Sequence, residues 1–94
     1  MYISRMMKPV VAEFVGTMIF IFVIIKSGNA LAIGATLALL IHVLGSVSGG
    51  NFNPAVTAAM TFLGKQSPKM LVPYVLAQVC GGLLAAVLTK VLRL

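Results

Sequence analysis

The chain has 94 residues, 61% hydrophobic and 9% charged, with seven cations against one acid for a formal net charge of +6. Soluble domains carry about 45–50% apolar and about 25% charged residues, so the composition excludes a fold built for water. A single cysteine excludes an internal disulfide, and scattered cations without an aromatic platform exclude a nucleic-acid surface.

A bilayer core is about 30 Å thick and takes about 20 helical residues to cross, so this length admits three crossings and a remainder. The first apolar run, residues 9–25, lies between Arg5 and Lys8 on one side and Lys26-Ser27-Gly28-Asn29 on the other. Its flanks resemble a secretory signal peptide, but Glu13 argues against cleavage, because an acid hinders insertion and has no use in a discarded segment. An acid inside a spanning helix is a functional or structural site by default. Thr17 lies one turn further along the same face.

The second run, residues 30–47, is interrupted only by Thr36, His42 and Ser46. The third, residues 71–92, carries Gln78 and Cys80, and the cysteine, beside Gly81-Gly82, reads as a small buried hydrophobe. All three runs read as spanning helices. Small residues recur at four-residue spacing, Gly34 and Ala38 in the second and Ala77, Gly81 and Ala85 in the third, which lets helix backbones approach closely in lipid.

Residues 48–64, between the second and third runs, are too short to cross. From Pro54 to Leu63 a helix rises about 15 Å, half the hydrocarbon thickness. Asn53 suits the cap of that helix, Pro54 its first position and Gly64 its end. The glycine-rich stretch Ser48 to Phe52 leaves carbonyls without helical partners, which membrane depth tolerates only beside a water-filled cavity or within protein. The pattern predicts a re-entrant half-helix at a pore or binding site.

Three motifs carry a family resemblance. Asn53-Pro54-Ala55-Val56-Thr57, preceded by Ser48-Gly49-Gly50, resembles the first signature loop of the aquaporin and glycerol-facilitator family. Ala12-Glu13-Phe14-Val15-Gly16-Thr17 is similar to its first helix, and the segment from Pro73-Tyr74 through Ala77-Gln78 to Gly81-Gly82 to its third. Order and spacing hold over nearly the whole chain.

The resemblance implies an all-α, multi-pass integral membrane protein of three spanning helices and one re-entrant half-helix. It implies a channel for water or small uncharged solutes, glycerol among them, with no cofactor. Asn53, with Pro54 and Ala55, then offers a hydrogen-bond donor to the pore, and the carbonyls of Gly49, Gly50, Asn51 and Phe52 form an acceptor ladder. Glu13, with Thr17 and Gln78, supports the loop. Ile33 falls at a filter position where water-selective members place an aromatic, which widens the constriction.

Ser46 and Asn51 depart from the histidines that many members carry, which puts the loop's usual packing in question. His42 is expected to be satisfied between helices. An enzyme is poorly supported, since one acid, one histidine and one thiol stand at no catalytic spacing.

Complete members of that family hold two such repeats in opposite orientation. Only one is present here, of first-half type, with Val56 after the motif where second halves carry an arginine. The expected partners are the lipid bilayer and another copy, inverted, or a complementary half, with pores grouped as tetramers. Arg5, Lys8, Lys65 and Lys69 would face one side and Lys26, Lys90 and Arg93 the other, a balance that hardly fixes orientation. The rival readings are an incomplete fragment and a non-conducting partner or modulator of full-length channels.

Overall fold

The computed structural model describes residues 2–94. Four α-helices follow one another: α1 (Tyr2–Ser27), α2 (Ala30–Ser48), α3 (Pro54–Phe62) and α4 (Leu71–Val91), the last entered through a 3-10 turn at Pro68–Met70. Among the described residues there is no strand. Three segments, Arg5–Ser27, Ala30–Ser48 and Pro68–Val91, are helical, long and apolar enough to cross a bilayer. The molecule is an all-α integral membrane protein of three spanning helices, with α3, nine residues and therefore about 14 Å long, as a half-helix.

Local chemistry sets the helix ends. Gly28 takes a left-handed conformation (φ +55°) and Asn29 caps α2 by accepting a hydrogen bond from the Ala32 amide at 2.9 Å. Asn53 caps α3 in the same way, accepting from the Ala55 amide at 2.7 Å, with Pro54 at the first position. α3 ends in a Schellman turn, in which the Lys65 amide donates to Met60 and the Gly64 amide to Thr61. Gly64 sits there at φ +77°, a conformation that side chains disfavour. At the other end of the fold the segment 9–25 lies within α1, which continues upstream through Pro9 to Tyr2.

α1 is the central element, packed on α2 along one side and α4 along the other, and α3 rests on α4. Close approach of α1 and α4 depends on Gly81, where a Cβ would lie 2.5 Å from the Phe14 carbonyl oxygen. Ala77 and Ala85 are buried on the same face of α4. The matching pattern on α2 plays no such part, since Ala38 is exposed and a Cβ at Gly34 would meet nothing within 4 Å. Two expectations are corrected here. His42 is exposed on α2 rather than held between helices of this chain, and Cys80 is exposed on α4 rather than buried.

The buried centre is unusually polar. Glu13, Thr17, Ser48, Asn51, Thr57 and Gln78 are all buried, whereas Leu31, Leu39, Val72 and Leu83 are exposed on the outer faces. Lipid reverses the usual arrangement, because apolar side chains meet the solvent and polar groups must find partners inside.

Candidate functional site

Residues 48–53 connect the end of α2 to the tip of α3, and one carboxylate organises them. Glu13, fully buried near the middle of α1, accepts four hydrogen bonds. Its Oε2 takes the Ser48 hydroxyl at 2.6 Å and the Asn51 amide at 3.2 Å. Its Oε1 takes the Phe52 amide at 2.7 Å and the Gln78 side-chain amide at 2.9 Å. An ionised carboxylate has about four lone-pair sites, so its capacity is filled. Bonds of this charge-assisted kind are about twice as strong as neutral ones.

Binding the amides has a geometric result. The Gly49 amide donates to Gly45, the Gly50 amide to the Ser48 hydroxyl, and the Asn51 and Phe52 amides to Glu13. Among the described residues, none of the carbonyls of Gly49, Gly50, Asn51 and Phe52 accepts a hydrogen bond. The loop is therefore one-sided, with amide groups tied inward and carbonyls left over. Gly49 (φ +92°) and Gly50 (φ +65°) supply the left-handed turns this needs, and a Cβ at Gly50 would also crowd the Ile41 backbone at 3.3 Å.

Phe52 takes the left-handed region without being glycine (φ +53°), at a cost of about 1 kcal/mol. The residue is 2% exposed and its ring lies over Gly16 of α1, where any methyl group would overlap it. That wedge and the Glu13 bond together hold the strained residue in place.

A second layer fixes the loop to α3 and α4. The Asn51 side-chain amide donates to the Thr57 hydroxyl at 3.0 Å and to the Gln66 side-chain Oε1 at 2.8 Å. Gln78 also donates to Thr57, at 2.8 Å, and the Tyr74 hydroxyl to the Ser48 carbonyl at 2.7 Å. Asn51 therefore ties the loop to α3 and to Gln66 with its side-chain amide, without a histidine there.

Two clefts flank this segment. One, of about 370 Å³, is bordered by Gly49, Gly50, Asn51, Val56, Lys65 and Gln66. The other, of about 480 Å³, is bordered by Thr17, Phe20, Phe52, Asn53, Gln78 and Leu83. The tip of α3 thus lies level with the middle of α1 and α4, and its far end returns to Lys65. Asn53, Pro54 and Ala55 are exposed at the tip. Because Asn53 Oδ1 is engaged by the Ala55 amide, its side-chain NH2 group is the free end.

The structure brings Glu13, Gln78, Asn51 and Phe52 into one network and sets Asn53 beside it. Thr17 is buried next to that network without joining it, and its hydroxyl, like the Gln78 carbonyl oxygen, has no partner among the described residues. Ile33, near the start of α2, borders neither cleft. Sequence reasoning missed Ser48, Thr57, Tyr74 and Gln66. Tyr74 and Gln78, four apart on one helix face, gave a signal of a shared polar stripe, whereas Gln66 lies in a turn with no pattern around it.

The sequence has known relatives. The profile of the major intrinsic protein family matches residues 2–93. Aquaporin-8 of Mus musculus is 42% identical over 94% of this chain and 38% of its own length. The glycerol uptake facilitator protein-like 6 of Lactiplantibacillus plantarum is 38% identical over 89% of this chain and 43% of its own. Aquaporin Z of Photorhabdus laumondii is 33% identical over 93% of this chain and 44% of its own. The chain thus spans less than half the length of these relatives. No solved structure matches it. A carboxylate-anchored re-entrant half-helix among three crossings, with a profile match over almost every residue, places this chain in the major intrinsic protein family.

Proposed function

We propose that the chain is one half of a channel for water or small uncharged solutes, with the pore completed by a second half-repeat. The observation that carries this reading is the one-sided loop, four unpaired carbonyls leading to the free NH2 of Asn53. A molecule that both donates and accepts hydrogen bonds finds partners along it. The positive end of α3 disfavours cations and the row of carbonyl oxygens disfavours anions. Ile33 in place of an aromatic leaves room for a polyol as well as water.

The second half is supplied by an inverted copy of the same chain. Exposed polar groups at the tip of α3 need cover at membrane depth, where each unsatisfied group costs several kcal/mol. A two-fold axis in the membrane plane brings an identical tip to face them, and the near-even cation distribution permits both orientations.

Swelling of proteoliposomes made with the pure chain tests the channel, using water, glycerol and urea in parallel. The wild-type chain is expected to accelerate swelling over empty vesicles, and Asn53→Trp, which fills the tip while leaving the Glu13 network untouched, to return it to background. Equal rates with and without the protein, together with co-purification of a full-length relative, would select the modulator reading instead.

A further inference from the structure

Where α1 enters the bilayer, Arg5 and Lys8 stand three residues apart on one helix face and border an open cavity of about 570 Å³ together with Pro9, Ser46 and Val47. Both cations are exposed, and among the described residues neither side chain has an ion pair or hydrogen bond. The sequence cannot neutralise them, because its only acid is Glu13, whose oxygens are already filled by four donors. At the C-terminal end of α2 the Gly45 and Ser48 carbonyls are taken by the Gly49 amide and the Tyr74 hydroxyl, and the Ser46 and Val47 carbonyls bring only partial charge.

We infer that this cavity binds the phosphodiester of an anionic phospholipid. Arg5 and Lys8 supply two positive charges and Ser46 an exposed hydroxyl donor on the opposing helix. A phosphodiester brings one negative charge and acceptor oxygens only, so its chemistry matches. An apolar track for acyl chains continues below. Val43 and Leu39, three and seven residues before Ser46, are 58% and 63% exposed, and Val15, seven after Lys8, is 36% exposed. A free inorganic phosphate offers the same oxygens but no tail for this track, which commits the site to lipid.

The site is independent of permeation and is read by native mass spectrometry of the purified chain titrated with phosphatidylglycerol, phosphatidylcholine or inorganic phosphate. Phosphatidylglycerol is expected to bind more tightly than phosphatidylcholine. The R5Q/K8Q variant is expected to weaken it roughly 25-fold, about fivefold per cation. R5K/K8R, which keeps both charges, retains binding, and K26Q/R93Q, which removes two charges from the other side, leaves it unchanged. Full phosphatidylglycerol preference in R5Q/K8Q, or its loss to the same degree in K26Q/R93Q, overturns the assignment. Displacement of the lipid by equimolar inorganic phosphate overturns the lipid as occupant.

Discussion

At the scale of single residues, Glu13 is the position on which the loop depends, because four donors from three separate segments meet on its two oxygens. Glu13→Gln keeps the volume but replaces one acceptor oxygen with an NH2 group. With two donors on each oxygen, two of the four then lose their partner and the other two lose their charge assistance. Buried donors deprived of a charged partner cost about 1.5–3 kcal/mol each, so the variant is expected to unfold at least that much more readily in detergent titrations followed by circular dichroism. A melting curve identical to wild type would remove the carboxylate from its supporting role. That an acid mattered at position 13 was legible in the sequence, since acids inside spanning helices are rare. Which groups it binds was less so, because Ser48 and Gln78 lie 35 and 65 residues away and only the fold joins them.

At the scale of elements, two small-residue stripes that look alike in sequence behave differently. Gly81 on α4 meets the Phe14 carbonyl of α1, and Gly34 on α2 meets nothing. Gly81→Ala is expected to force the two helices apart and to cost about 1–3 kcal/mol, as overpacking does, whereas Gly34→Ala, which meets nothing, is expected to cost nothing and to stabilise α2 by up to about 1 kcal/mol through its better helix propensity. Equal effects of the two would show that the α1–α4 contact is not the tight one. Spacing identifies helices able to pack closely, but the partner is a tertiary fact, which is also why His42 and Cys80 turned up on exposed faces. α3 was legible for the opposite reason. Asn53, Pro54 and Gly64 act on their own backbone within a few residues, and local chemistry of that kind survives any change of surroundings.

At the scale of the whole molecule, the three crossings were plain from hydropathy, and the long axis of 39 Å exceeds the roughly 30 Å hydrocarbon core. The uncovered tip of α3 is the feature that calls for a second half-repeat, and the proposed inverted copy is tested there. In a Cys80→Ser background, which removes the one exposed thiol, Ala55→Cys places a reporter at that tip. Two copies facing each other at the membrane midplane are expected to give a disulfide-linked dimer under mild oxidation, protected from a membrane-impermeant thiol reagent. A wholly monomeric product, with the cysteine labelled freely from one side, would count against the inverted pair.

The convergence on Glu13 also bears on biosynthesis. A ribosome delivers α1 first, so the acid reaches the translocon before any of its donors exist, and the last of them, Gln78, follows 65 residues later. Until α4 has entered, the carboxylate has only its donors from residues 48–52, and α1 lacks its close contact with Gly81. The network on the first helix is accordingly completed only by the last one to be made, so α1 leaves the ribosome with a bare acid whose final partner is still to come.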